Sequence, residues 1–107
     1  MIDTKTPQLH LDIIIEKQDS EFVAHCLQMD IVSSAITEEI AVQEMVDLIS
    51  AQVEFAIKHD NLEYLFKPAP AETWQKLARI FNSKNPRCKP MTDSKENMSW
   101  ESYFCYA

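Results

Sequence analysis

Apolar positions between Leu9 and Ile57 change their period from two to about 3.6, and that change predicts a small sheet followed by a helix. Leu9, Leu11, Ile13 and Ile15 alternate with His10, Asp12, Ile14 and Glu16, so a strand here lines one face with the odd set and the other with the even set. Residues 17–20 hold no apolar side chain and predict a hairpin loop. Residues 21–27 resume the extended pattern, with Phe22, Ala24 and Cys26 on one side and Val23, His25 and Leu27 on the other. Gln28-Met29-Asp30 breaks the run. Residues 31–35 then fit a short third strand, favoured by the β-branched pair Ile31-Val32.

Thr37 is placed to cap a helix, because its hydroxyl can take an orphan N–H of the first turn. Glu38 and Glu39 follow where the positive end of the helix dipole favours carboxylates. Val42, Met45, Ile49, Val53 and Ala56 recur at helical spacing and predict the buried face. Glu39, Gln43, Asp47, Ser50, Glu54 and Lys58 form the opposite stripe, and Glu54 with Lys58 makes an i,i+4 pair. Beyond Asn61, residues 62–66 are short and aromatic and predict a fourth strand ended by Pro68 and Pro70. Pro70 suits the first turn of a second helix, in which Trp74, Leu77, Ala78 and Phe81 share a face. Residues 82–97 are polar and broken by Pro86 and Pro90, so they read as a linker to an aromatic tail over 98–107. The expected fold class is α+β: a small, mostly antiparallel sheet in β-β-β-α-β order, one long helix across it, a second short helix and a C-terminal tail. Residues 1–81 form the domain, and 82–107 are not an independent one.

A hairpin, a short strand and a helix opening in Ile36-Thr37-Glu38-Glu39-Ile40-Ala41 resemble the N-terminal domain of HicB-like antitoxins. Ile13-Ile14-Ile15-Glu16-Lys17 matches its first strand and Phe22-Val23-Ala24-His25-Cys26-Leu27 its second, and the resemblance covers about residues 9–66. It implies a compact α+β core and a role in binding and neutralising a small basic ribonuclease toxin. Where the family usually has glycines, around the third strand and before the helix, this chain has Asp30, Ser33, Ser34 and Ala35. Many members also carry a C-terminal DNA-binding module, for which residues 82–107 are too few and too proline-broken. Operator binding is therefore not carried over, and no direct nucleic-acid contact is expected.

Charge sharpens this picture. The chain of 107 residues carries −7, and residues 1–81 alone hold 14 acids against 6 bases. Such a body repels phosphate backbones and attracts basic partners, although charge of this size also serves solubility alone. There is no glycine, which excludes the dinucleotide fingerprint and the P-loop and leaves the turns to Asn, Asp, Ser and Pro. The longest apolar run is Ile13-Ile14-Ile15, too short for a bilayer span. The opening Met1-Ile2-Asp3-Thr4-Lys5 has neither the basic start nor the apolar stretch of an export signal. With three widely spaced cysteines, Cys26, Cys88 and Cys105, reduced cytoplasmic thiols are the expected state.

Candidate chemistry is thin. His10 and Asp12 share a strand face with His25 near by, but Cys26 points the other way and no chelating spacing occurs, so no metal or other cofactor is expected. Asp12 and Glu16 lie about 13 Å apart along a strand, too far to share a two-metal site with Glu44. No third group completes a nucleophilic site around His25 and Cys26. The expectation is a protein that is not an enzyme. The terminal aromatics Trp100, Tyr103 and Phe104, with Tyr106, are the candidate interaction residues, docking on their own domain, on a second subunit or on a partner. The acidic helix stripe and the sheet edges are further candidate surfaces. The leading reading is a non-catalytic, homo-oligomeric module of HicB-like type that occludes a small basic toxin. The alternative is a stand-alone oligomeric domain that binds a small ligand.

Overall fold

The computed structural model describes residues 9–95 and 98–107. The N-terminal residues on which the export-signal expectation rests, and Glu96 and Asn97 of the expected linker, lie outside them. The fold is α+β. Strands β1 (Leu9–Gln18), β2 (Glu21–Cys26) and β3 (Ile31–Ala35) are followed by helix α1 (Glu38–Lys58) and helix α2 (Ala71–Phe81), then strands β4 (Arg87–Lys95) and β5 (Met98–Tyr106). The sheet runs β3-β2-β1-β5-β4. All neighbours pair antiparallel except β1 and β5, which run parallel with Leu9 opposite Trp100 and Ile15 opposite Tyr106.

The period-two pattern of β1 explains its place at the centre. Leu11, Ile13 and Ile15 are buried with Met45, Ile49, Val53 and Ala56 of α1 on one face of the sheet. Ile14, on the other face, packs with Leu27, Leu77, Ile80 and Cys105. One helix therefore covers each face, and β1 needs apolar side chains on both. Thr37 caps α1 as expected, the Ile40 N–H donating to its Oγ1 at 3.2 Å. The buried face comprises Ala41, Met45, Ile49, Val53 and Ala56, while the expected Val42 is only half-buried. Glu54 is engaged by Lys95 of β4 at 3.4 Å.

Without glycine, left-handed turn positions fall to aspartate. Asp19, Asp30 and Asp60 have φ of 57°, 51° and 50°, positions that short polar side chains tolerate better than most. They end β1, precede β3 and follow α1.

Three expectations are corrected. Residues 62–66 are not a strand: Leu62–Leu65 forms a 3-10 turn. Only Leu65 is buried there, while Tyr64 and Phe66 point to solvent, and Pro68 and Pro70 deny a following ladder its N–H groups. The chain instead makes two backbone bonds slightly later, from the Lys67 and Ala69 N–H groups to the carbonyls of Gln28 and Leu27. Residues 82–97 are not simply a linker, because β4 occupies 87–95. As an edge strand it accepts Pro90, whose missing donor can face solvent. The aromatic tail is β5, an interior strand held between β1 and β4. On α2 the buried residues are Leu77 and Ile80, with Trp74 half-buried, whereas Ala78 and Phe81 are exposed.

The cysteines are corrected as well. Cys88 and Cys105 face each other across the β4–β5 ladder with Cα atoms 4.1 Å apart and are joined as a disulfide. Cys26 is free and buried. Among the described residues no helix is long and apolar enough to cross a membrane.

Candidate protein-interaction surface

Burial separates the terminal aromatics. Trp100 is 1% exposed and Phe104 2%, both within the core beneath α1. Tyr103 lies on the opposite face, half-buried, with its ring 6.3 Å from Phe81 and 6.4 Å from His10. Of the roles considered for this group, docking on its own domain is the one the burial of Trp100 and Phe104 matches.

His10 and Asp12 do meet on the face that carries α2. The His10 Nε2 lies 3.1 Å from one Asp12 oxygen, and its Nδ1 lies 3.5 Å from Glu101 on β5. Gln28 clamps the same aspartate twice: its Nε2 donates to Asp12 Oδ2 at 2.8 Å, and its Oε1 accepts the Asp12 N–H at 2.7 Å. This arrangement ties the segment after β2 onto β1. A carboxylate–imidazole pair can relay a proton, but among the described residues its hydrogen-bonding and charged neighbours are Gln28 and Glu101, neither of them a nucleophile. His25 is engaged separately by Asp30 at 2.7 Å. Glu16 is paired with Lys76 of α2 at 2.9 Å, and that ammonium holds its carboxyl below the usual range against the opposing effect of burial. Glu44 lies on α1, across the sheet from Asp12 and Glu16, so the three carboxylates do not meet. Among the described residues no three His, Cys, Asp or Glu side chains group as metal ligands.

Cys26 and His25 occupy opposite faces of β2, as their alternation requires. Burial pushes the Cys26 thiol up to about 11, which leaves it protonated and unreactive at neutral pH. Burial, and then the neighbouring Glu38, pushes the Tyr106 hydroxyl up. Arg87 stacks on the Tyr106 ring at 4.1 Å and holds Glu38 at 2.8 Å, fastening the start of β4 to the start of α1.

What remains exposed is more informative. The outward side of α1 presents Ile40, Leu48 and Phe55, the last 58% exposed. Glu44, Asp47, Leu48 and Ala51 line a shallow, mostly apolar depression of about 340 Å³ on the same side. The edge strand β3 adds Val32, and Ile36 beyond it is 73% exposed. Aliphatic surface framed by carboxylates suits a partner that is basic at its rim and apolar at its centre. The helical spacing of Ile40, Leu48 and Phe55 was available in the sequence, but the charged residues between them disguised it as a solvated stripe.

Comparison with known proteins returns no matching family model, no curated relative and no similar solved structure.

Proposed function

We propose that this chain is a non-catalytic protein-interaction module that holds a small basic protein against the outward face of α1, as the HicB-like resemblance implies for an antitoxin and its ribonuclease toxin. The observation that carries this reading is the apolar depression between Glu44 and Asp47 on a chain of net charge −7. Carboxylates at the rim speed encounter and select a basic partner, while Leu48 and Ala51 supply the surface to be desolvated. Calorimetry against any small basic protein encoded beside its gene tests it. Micromolar or tighter binding is expected, weakened at least about tenfold by Glu44→Lys with Asp47→Lys and by added salt. An absence of binding at micromolar concentration refutes the reading.

A cytoplasmic setting belongs to the same proposal, and the Cys88–Cys105 bond is the observation that weighs against that part, because disulfides persist in oxidising compartments. Trapping thiols with an alkylating agent at lysis and weighing the intact protein decides it: two blocked cysteines at 88 and 105 support the cytoplasm.

A second reading, a stand-alone domain binding a small ligand, draws support from one cleft. Lys76, Arg79 and Arg87 converge with Tyr106 around about 330 Å³ between α2 and the end of β5, a site suited to a small anion. Lys76 and Arg87 are already paired with Glu16 and Glu38, which is why this reading stands second.

A further inference from the structure

The two edges of the sheet are built differently. Edge β4 carries Pro90 in its middle and Arg87, Lys89 and Lys95 along its length, the residues that keep an open ladder from recruiting another strand. Edge β3, Ile31-Val32-Ser33-Ser34-Ala35, has no proline and no charge, and its register with β2 runs without a bulge. The hairpin between β1 and β2 fixes which backbone groups of β3 stay open. Gln18 and Glu21 close its two-residue turn, and the closing pair of such a hairpin exchanges both hydrogen bonds. By alternation Val23, His25 and Leu27 also turn their N–H groups to β1, in agreement with the 2.9 Å bond from the Leu27 N–H to the Asp12 carbonyl. Phe22, Ala24 and Cys26 therefore bond to Ala35, Ser33 and Ile31. Val32 and Ser34 are left with N–H and C=O directed away from the sheet, and no turn or loop of the described residues takes them.

Helix α1 borders this edge. Only Ile36 and Thr37 separate β3 from α1, which runs back against the direction of β3, from Glu38 beside Arg87 to Glu54 beside Lys95. At about 1.5 Å per residue, Glu44 and Leu48 stand roughly 9 and 15 Å along from Glu38, within the span of a five-residue strand. Glu39 and Val42 border a cleft with Arg87 and Lys89, so that flank of α1 looks towards β4. Glu44 and Leu48 lie on the other flank of the buried stripe, at about 100° per residue, and hence on the side of β3.

We propose that an extended segment of the basic partner adds to β3 as a sixth strand, its backbone bonded to Val32 and Ser34 and its side chains meeting Leu48 and Glu44. This rests on the partner reading above and supplies its mode of attachment. Each open residue offers one donor and one acceptor, so the ladder gives affinity without regard to sequence, while alternate side chains give the choice. Ile31 packs in the core beneath α1, so Val32, 55% exposed, lies on the other face. An added strand thus covers apolar surface on both sides, Val32 on one and Leu48 on the other. Charge selects the occupant. A second copy brings −7 and another Glu44–Asp47 rim to the contact, whereas a strand bearing lysine or arginine complements that rim.

The probe is a blocked octapeptide of alternating valine and lysine, with glutamate in place of lysine in its control. Amide hydrogen exchange of the full chain, read by NMR, is expected to find Val32 and Ser34 exchanging faster than Ile31 and Ser33 in the chain alone. The lysine peptide at about 1 mM slows those two amides at least about tenfold and leaves β4 as it was. Ser34→Pro removes one outward N–H and weakens binding at least about tenfold, while Ser34→Ala, which keeps it, changes affinity less than about twofold. No protection of Val32 and Ser34, equal binding of the glutamate peptide, or an indifferent Ser34→Pro chain with native circular dichroism overturns the proposal. Protection that appears in the chain alone as its concentration rises marks a second copy and overturns it too. A neighbouring basic protein that binds without protecting Val32 and Ser34 overturns the added strand and spares the partner reading. Peptide capture at β3 with no such protein binding supports the strand and sinks the partner reading.

Discussion

Phe104→Ala tests whether the last nine residues of the fold are an interior strand or an appendage. Phe104 is 2% exposed and stands beside Ile13 in the parallel ladder, within the core beneath α1. Removing a fully buried phenyl ring costs the transfer energy of the ring plus the cavity it leaves, about 3–5 kcal/mol. At about 0.05–0.15 kcal/mol per residue, a chain of this length holds roughly 5–16 kcal/mol in total, so the substitution removes a large share. Urea unfolding followed by circular dichroism and tryptophan emission reports it, since Trp100 is buried in the same core. With a slope of about 1–1.5 kcal/mol per molar urea, the midpoint falls by about 2–5 M or the variant fails to fold. Thr92→Ala at an exposed position of β4 is the control and changes stability by no more than about 0.5 kcal/mol. A loss below about 1 kcal/mol for Phe104→Ala with the slope unchanged would refute the placement of β5.

Three further outcomes are expected. The unfolded Cys26 thiol ionises near 9 and the folded one at about 11, so its contribution is complete below pH 9 and is lost as pH rises to 11, by roughly 2–3 kcal/mol. Urea midpoints from pH 8 to 11 should therefore fall more steeply for the native chain than for Cys26→Ala. Thr37→Ala removes the Oγ1 that receives the Ile40 N–H and lowers stability by about 1 kcal/mol in the same assay. Asp60→Gly relieves a left-handed residue just past α1, and thermal unfolding should show a gain of up to about 1 kcal/mol, partly offset by a more flexible unfolded chain.

The first half of the fold was legible because its side chains alternate or recur with one clear period. The hairpin, β3, the Thr37 cap and the inward face of α1 all follow from local pattern. The second half was not, for identifiable reasons. Pro90 argues against a strand until one knows that the strand lies at an edge, which is a fact about neighbours rather than about sequence. Met98, Trp100, Phe104 and Tyr106 alternate as a strand should, but their partner Leu9–Ile15 lies some ninety positions away, and parallel pairing leaves no turn signal. Leu62, Tyr64 and Phe66 offered strand chemistry where the chain had first to turn off the end of α1. The candidate surface was half visible: the acidic stripe could be read, whereas the open side of β3 emerged only once the strand order was known.

The parallel contact between β1 and β5 has a bearing on biosynthesis. Among the described strands, the one made first, β1, is flanked on one side by the one made last, β5. Until β5 has been made, the flank of Leu9–Ile15 meant for it stays bare, and the nascent polypeptide carries a sticky ribbon that sheltering chaperones would be the natural means of masking. Chains cut off within β5 should thus aggregate rather than yield a trimmed but functional product.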